Sequence, residues 1–337
     1  PAMHVAVSAV MTNTSPTSPY RGAGRPEASY ILERTIDIAA ARLGIDPVEL
    51  RRRNMIPSEM LPYKTPLTFT YDCGEFETVL DKTLANSDYD GFAVRRTESE
   101  AAGKLRGIGV SCTIERAAAA QLETAELRFD PSGDAAILIG TTPHGQGHET
   151  IYKQIVCGTL GLDPDRVRVI EGDTDAVSFG TGTGGSRTAT IGSAAVLKAM
   201  DKVIDKTKKI AAHALEAAVE DITFEEAQFA IAGTDRSMPF LDAVALAFDP
   251  ANLPPDMEPT LAELASYSPE VENFPNGCHI VEVEITPETG EIALARYSVV
   301  DDCGLELNPL LVKGQVHGGI AQGVGQALME NMVYDRD

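Results

Sequence analysis

Apolar positions along the chain change period several times, and each change predicts an element. Leu32, Ile36, Ala39, Ala40 and Leu43 recur three and four apart. With Pro26-Glu27 at its start and Gly44 after it, this stretch predicts a first helix with one apolar stripe. Asp46-Pro47-Val48-Glu49 then reads as N-cap, proline at N1 and acid at N3 of a short basic helix, VELRRRN. Its three arginines suit either an anion site or a charged face paired with acids. Residues 55–75 carry Pro and Tyr without periodicity and predict a loop, and a short helix is expected around Phe76–Leu84. Strand-like runs follow at Gly107–Ile114 and on both sides of Asp130-Pro131-Ser132-Gly133, where the turn chemistry predicts a hairpin.

Ile151, Ile155, Val156 and Leu160 return to helical spacing, closed by Gly161, and RVRVIEGD predicts a further strand. A Gly/Ser/Thr loop, FGTGTGGSRT, runs into an Ala-rich helix expected to reach about Glu220. Residues 248–277 are Pro-rich and predict a long surface excursion. A second hairpin turns at Pro287-Glu288-Thr289-Gly290, and GQVHGGIAQGVGQALMEN predicts a last, Gly-studded helix. The first residues, PAMHVAV, alternate like a strand. With the abrupt Tyr334-Asp335-Arg336-Asp337 end, they suggest a chain entered and left in mid-domain. Strands and helices alternate without strict βαβ order, so the expected class is α+β, with layered helices on mixed and antiparallel sheets.

At 337 residues the chain is long enough for about two domains. A net charge of −22 argues against nucleic-acid partners and anionic membrane surfaces. No apolar run is long enough to span a membrane, and no signal-type start is present, so a cytoplasmic location is expected. Cys73, Cys112, Cys157, Cys278 and Cys303 are scattered, never as CxxC, and predict free thiols in or near cores rather than a disulfide frame or zinc ribbon.

Three Gly-rich corners carry the candidate chemistry: Gly145-Gln146-Gly147, Gly184-Gly185-Ser186 and Gly314-Gln315. Each carries one amide or hydroxyl side chain and is expected to enter a helix. A helix N-terminus presents unpaired amides and the positive end of its dipole, and glycine lets the backbone approach a ligand. Together these suit phosphate or another anion without lysine. None fits a P-loop or Rossmann pattern. His144 and His148 stand four apart, but the glycines between them break the helix that a metal pair would need, so no metal site is expected and His148 reads as a loop-orienting residue. Glu149 suits a helix's first turn, and Glu115, Glu171 and Asp173 read as structural.

These stretches, with TNTSPTSPYRGAGRPEASYILERTIDIAAARLGIDPVELRRRNMI, PHGQGHET, EGDTDAVSFGTGTGGSRTATIGSAAV and DDCGLELNPLLVKGQVHGGIAQGVGQAL, resemble the large, molybdenum-cofactor-binding subunit of the xanthine oxidase, aldehyde oxidase and carbon monoxide dehydrogenase family. The resemblance implies molybdopterin cytosine dinucleotide as cofactor, contacted by Gln146, Gly147, His148, Gly184, Gly185, Ser186, Arg187, Thr188 and Gln315, with Arg21 in the loop facing molybdenum. It implies [2Fe-2S] clusters and FAD on partner subunits, the remaining part of the molybdenum subunit as a further partner, and a homodimer of the whole complex. It implies oxidation of an aldehyde or N-heterocycle with water as oxygen source. Residues 1–75 would be the tail of a first cofactor-binding subdomain, 76–104 a linker helix region, and 105–337 a second subdomain cut before the family's GxGE motif. The general-base glutamate is therefore not in this chain, which alone would be inactive. Tyr20-Arg21-Gly22-Ala23-Gly24-Arg25 stands where the copper-containing carbon monoxide dehydrogenases have a cysteine, so the loop resembles the copper-free class. Ala23 replaces the phenylalanine that walls a purine. Two other readings stay open: a carbon monoxide dehydrogenase-like subunit lacking copper, and a degenerate, non-catalytic scaffold for iron–sulfur and flavin subunits.

Overall fold

In chain order, the computed structural model has α1 (Arg25–Leu43), α2 (Pro47–Arg52), β1 (Tyr63–Lys64), β2 (Thr70–Tyr71), α3 (Phe76–Ser87), α4 (Phe92–Ala101), β3 (Leu105–Ile114), β4 (Glu123–Phe129), β5 (Ala135–Ile139), α5 (His148–Leu160) and β6 (Val167–Glu171). It continues with α6 (Ser193–Ala214), β7 (Ile222–Glu225), β8 (Gln228–Ile231), β9 (Ser237–Pro239), α7 (Phe240–Leu246), β10 (Ala262–Tyr267), β11 (Asn276–Thr286), β12 (Glu291–Asp302) and α8 (Pro309–Leu328). The class is α+β, as the patterning predicts. The structure describes residues 3–15, 18–118 and 121–335. Pro1, Ala2, Pro16, Thr17, Arg336 and Asp337, which fall in stretches read above, lie outside the described residues. Two compact units interleave along the chain: residues 1–116, 273–306 and 321–337 form one, and residues 117–272 with 307–320 form the other.

In unit 1 the antiparallel sheet β12-β11-β3 carries α3, α4 and α1. Its core is small, with Val48, Val79, Leu80, Val110, Cys278 and Ile280 buried. The Asp46 cap forms as expected, accepting from the Val48 amide at 2.8 Å and the Glu49 amide at 3.1 Å. The two arginines of α2 and the next residue, Arg53, all pair with acids of this unit: Arg51 with Glu33 and Asp37 at 2.7 and 2.9 Å, Arg52 with Asp81, and Arg53 with Glu49. The stripe expected to bury α1 does so in part: Ala40 is buried and Ile36 and Ala39 are half-buried, but Leu32 and Leu43 are exposed and Glu33 is buried, because the inward face of α1 is organised around the Glu33–Arg51 ion pair. The alternating residues 3–11 form no strand. They have no pairing partner among the described residues, and alternation without a partner leaves ladder groups unmet. Cys73 and Cys303 are exposed rather than near a core, and no disulfide forms.

Unit 2 holds the larger core, in which Leu127, Ile137, Ile139, Tyr152, Val156, Ala199, Val203 and Phe240 are buried. Its four-stranded sheet runs β10-β4-β5-β6. The β4–β5 hairpin turns where Asp130 Oδ1 accepts from the Ser132 amide at 2.8 Å and the Asp134 amide at 3.2 Å. β5 and β6 are parallel, which requires a crossover, and α5 supplies it. The buried face of α6 covers the sheet from Ser193 to Ala212. This helix stops at Ala214, short of the predicted Glu220, because Glu216 takes a left-handed φ of 51° before the chain turns into β7. The supposed excursion over 248–277 contains β10, which pairs antiparallel with β4 and buries Ala265, with Leu261 buried just before it. A separate small sheet, β7-β8-β9, and α7 fill the segment before it.

Candidate functional site

The parallel β5–α5–β6 unit decides where the candidate residues go. The loop 140–147 leaves the carboxyl end of β5 and the loop 172–188 leaves the carboxyl end of β6, so both emerge at the same edge of the sheet. This is the edge where parallel sheets commonly take ligands. The two loops are stitched together. Thr142 and Thr183 exchange bonds, amide to hydroxyl, at 3.1 and 3.3 Å, and the Gly182 amide donates to the Gly140 carbonyl at 3.1 Å. Gly140 and Gly180 pass so closely that neither has room for a Cβ. The need there is for absence of a side chain, not for an unusual φ.

Gly147, at φ 82°, precedes the first residue of α5, and the first helical bond runs from the Ile151 amide to its carbonyl at 3.2 Å. The amides of the first turn, His148 to Thr150, therefore face the loop rather than a preceding turn. Gln146 folds back, its Oε1 accepting from the His144 amide and its Nε2 lying 3.3 Å from His144 Nδ1. His148 is 6% exposed, with Nδ1 2.9 Å from Glu171 Oε1. The same carboxylate oxygen accepts from Thr141 Oγ1 at 2.7 Å, and Thr141 meets the Tyr152 hydroxyl at 3.1 Å. Burial pushes the Tyr152 hydroxyl far above its ordinary range, so it stays protonated within this chain of groups. Among the described residues no group of three or more His, Cys, Asp or Glu could hold a metal.

Gly184, Gly185 and Ser186 are exposed, with Gly185 at φ 60° and Ser186 at φ 53°, the latter in the left-handed region a serine seldom adopts. A Cβ on Gly145, Gly184 or Gly185 would meet nothing within 4 Å, so these backbones border open space. Thr188 is buried, its hydroxyl 2.9 Å from that of Thr183, and it opens one π-helical turn before α6. Arg187 does not point outward. It is 7% exposed, its Nε donates to the Gly182 carbonyl at 3.0 Å, and its terminal nitrogens donate to Thr181 O, Gly182 O and Gln121 Oε1.

The third corner departs from expectation. Asn308 caps α8, its Oδ1 accepting from the Leu311 amide at 3.1 Å, so Gly314 and Gln315 lie inside a helix rather than at its start. The helix still belongs here, since a Cβ on Gly147 would come within 2.8 Å of Leu311 Cδ2. Thus Gln146, Gly147, His148, Gly184 to Thr188 and Gln315 all fall in unit 2. Arg21 falls in unit 1. It lines a cavity of 340 Å³ with Ser18, Tyr20, Ala23, Glu27 and Gln326, beside a turn closed by the Ala23 amide on the Tyr20 carbonyl at 2.6 Å. A Cβ on Gly22 would fall 2.7 Å from Pro26 Cδ. In the same unit Arg25 pairs with Glu115 at 3.5 Å, and burial raises the Glu115 carboxyl group against the pull of that arginine. Glu149 stands in the first turn of α5 and pairs with Lys153 at 2.9 Å. The sequence reading passed over Glu123, a buried acid beneath the 179–182 loop, although an acid opening a strand of apolar alternation is itself a signal.

Two family models, both described as Molybdopterin cofactor-binding domain, match residues 82–337 and residues 1–55. The chain is 35% identical over 353 residues to the carbon monoxide dehydrogenase large chain of Hydrogenophaga pseudoflava, covering 99% of this chain and 44% of that one. It is 31% identical to the 6-hydroxypseudooxynicotine dehydrogenase complex subunit gamma of Paenarthrobacter nicotinovorans, covering 100% and 43%. Among solved structures, quinoline 2-oxidoreductase from Pseudomonas putida 86 superposes with a TM-score of 0.87 at 34% identity, covering 94% of this chain and 42% of that one. The chain spans less than half the length of the relatives it matches.

Proposed function

Because this chain belongs to the molybdopterin cofactor-binding domains of the xanthine oxidase and carbon monoxide dehydrogenase family, we propose that it forms part of the cofactor-holding subunit of a molybdenum hydroxylase. The cofactor is molybdopterin cytosine dinucleotide, and the substrate is an aldehyde or N-heterocycle oxidised with water as oxygen source. The observation that carries this reading is the shared edge of unit 2, where glycine-bordered open space adjoins a helix N-terminus. That is what a phosphorylated, non-covalent group needs: amides that point at it and backbone bare enough to approach. Gln146, Gly147, Gly184, Gly185, Ser186 and Gln315 would hold the cofactor directly. His148, Arg187 and Thr188, each buried, would hold the loops that hold it. When bound, the molybdenum pterin supplies two-electron oxidation. Residues of unit 2 would bind and orient it; Arg21 enters this reading only through the family resemblance of its loop. Partner subunits bearing iron–sulfur clusters and FAD would take up the electrons, in a complex that would pair with itself.

The crowding beside Gly22 speaks against a metal-ligating side chain at that position and so against copper-assisted carbon monoxide oxidation. Relatives named for quinoline and 6-hydroxypseudooxynicotine favour an N-heterocycle. The test is elemental molybdenum, oxidised-pterin fluorescence and released cytidine nucleotide, measured on the full-length protein purified with its partners. About one of each per protomer is expected. Protein that folds and assembles but contains neither molybdenum nor pterin would overturn the reading, leaving the scaffold alternative. Pterin without turnover of any aldehyde or N-heterocycle would overturn the assigned activity alone.

A further inference from the structure

Loop 179–182 sits between two buried side chains of opposite charge. On one side is Glu123, the first residue of β4, only 1% exposed. Its Oε1 accepts from the Thr124 amide at 3.0 Å and lies against the loop crossing, since a Cβ on Gly140 would fall 2.6 Å from it. Burial raises this carboxyl group, opposed by the amides of Thr124, Thr181 and Gly140 and by the charge of Arg187. Oε2 has no hydrogen-bond partner, an arrangement that costs stability and so calls for a reason. The next residue, Thr124, donates its hydroxyl to the Phe179 carbonyl at 2.6 Å. On the other side Arg187 donates to the carbonyls of Thr181 and Gly182. Glu123 Oε1 lies against the crossing of this loop with Gly140, on the side of the Thr181 amide, while the guanidinium takes the loop's carbonyls. Directly beyond lies the Gly184–Ser186 corner that borders open space.

We infer that Glu123 is a positioning residue: as a buried acceptor set against the crossing of Gly140 with loop 179–182, it fixes the geometry of the Gly184–Ser186 corner without touching the ligand. This deepens the cofactor reading above and rests on it for the identity of the ligand. What the loop needs from Glu123 is an oxygen acceptor, not bulk, because a buried amide left unpaired costs more than a lost contact.

The experiment uses the full-length protein with its partner subunits and three variants, Glu123→Leu, Glu123→Gln and Thr124→Val. Hydrogen exchange is followed for peptides over 179–188 and over the sheet residues 125–139, together with the rate of pterin release. Glu123→Leu removes the acceptor at similar volume. It is expected to speed exchange over 179–188 and pterin release by about tenfold, with the sheet little changed. Glu123→Gln keeps an acceptor oxygen and is expected to stay within about threefold of the parent, and Thr124→Val to fall between. Equal acceleration of loop and sheet in Glu123→Leu would make the role purely structural and overturn the inference, as would a Glu123→Gln protein as loose as Glu123→Leu. Should Glu123→Leu fail to fold, Thr124→Val decides: unchanged exchange over 179–182 overturns the inference. Exchange is read whether or not pterin is present, so failure of the cofactor reading and failure of this one are separable.

Discussion

Gly140→Ala is the sharpest perturbation the structure offers. The new Cβ would stand 2.8 Å from the Phe179 carbonyl oxygen and 2.6 Å from Glu123 Oε1, both under the 3.0 Å that real Cβ contacts respect. Phe179 O and the Gly180 Cα, which the new Cβ would also crowd, are backbone, so relief requires the two loops to part. Overpacking of this kind costs about 1–3 kcal/mol. Displacement of a binding element by about 1 Å can cost on the order of a hundredfold in function. The expected result is a protein that folds with a lowered thermal midpoint and retains less than about a tenth of the parent's pterin per protomer. Gly180→Ala should behave alike, since its Cβ would meet the Gly140 carbonyl carbon and oxygen at 2.8 Å. The double variant should cost less than the two added, because one displacement relieves both contacts. Gly158→Ala is the control: it lies exposed inside α5 with nothing within 4 Å of an added Cβ. That change should raise stability by about 0.5–1 kcal/mol and leave pterin unchanged. Full pterin and an unchanged midpoint in Gly140→Ala would refute the reasoning that the crossing sets the site.

In unit 1, Arg51→Met should lower stability in urea titration by about 3–5 kcal/mol, because Glu33 is left buried without its counter-charge, and adding Glu33→Met should recover most of that loss. Burial alone would raise the Glu282 carboxyl group, but Arg95 and Arg106 at 2.6 and 2.7 Å outweigh it and hold it below the usual carboxylate range. Its contribution is therefore present above the unfolded value of about 4.3 and lost as pH falls through the folded one. Glu282→Gln should be less stable at pH 7 and show a shallower acid limb in pH-dependent denaturation. Cys112 and Cys278 are cross-strand partners with Sγ atoms 3.7 Å apart. The backbone spacing of such pairs lies within disulfide range. Diamide should remove two titratable thiols and two hydrogens from the intact mass, and Cys112→Ser should abolish the change.

What the sequence shows and what it hides follow the range of the forces involved. The β4–β5 hairpin and the α2 start are legible because Asp130 and Asp46 bond amides two to four residues away. β10 is not legible: its neighbours are prolines, and its burial is decided by β4, more than a hundred residues earlier in the chain. Residues 3–11 show the converse, an alternating pattern with nothing to pair with. At the site, glycine spacing indicates Gly145–Gly147 and Gly184–Ser186. It misplaces Gln315, because the start of α8 is set by the Asn308 cap rather than by the glycine at 314. Arg187 is one of the contacts the resemblance implies, and the sequence does not say what its side chain meets. Only the folded loop offers it the carbonyls of Thr181 and Gly182.

The parallel pair β5–β6 explains why a helix start and a glycine loop end up at one edge. A parallel neighbour obliges the chain to return across the sheet, so the crossover helix must begin just past the end of β5, and the loop after β6 must begin beside it. Two loops leaving adjacent strands, about 4.8 Å apart, collide unless one or both give up side chains. Gly140 and Gly180 are that concession. Such bare backbone is locally loose, and Glu123, Thr124 and Arg187 answer it with directional bonds. The fold thus spends buried charge beneath the loop to keep charge out of the open space above it. Around that space Gly145, Gly184 and Gly185 offer backbone rather than ionised side chains. An anionic group held by amides alone fits a chain whose net charge is −22, where exposed lysines at the edge would instead be drawn to the protein's own acids.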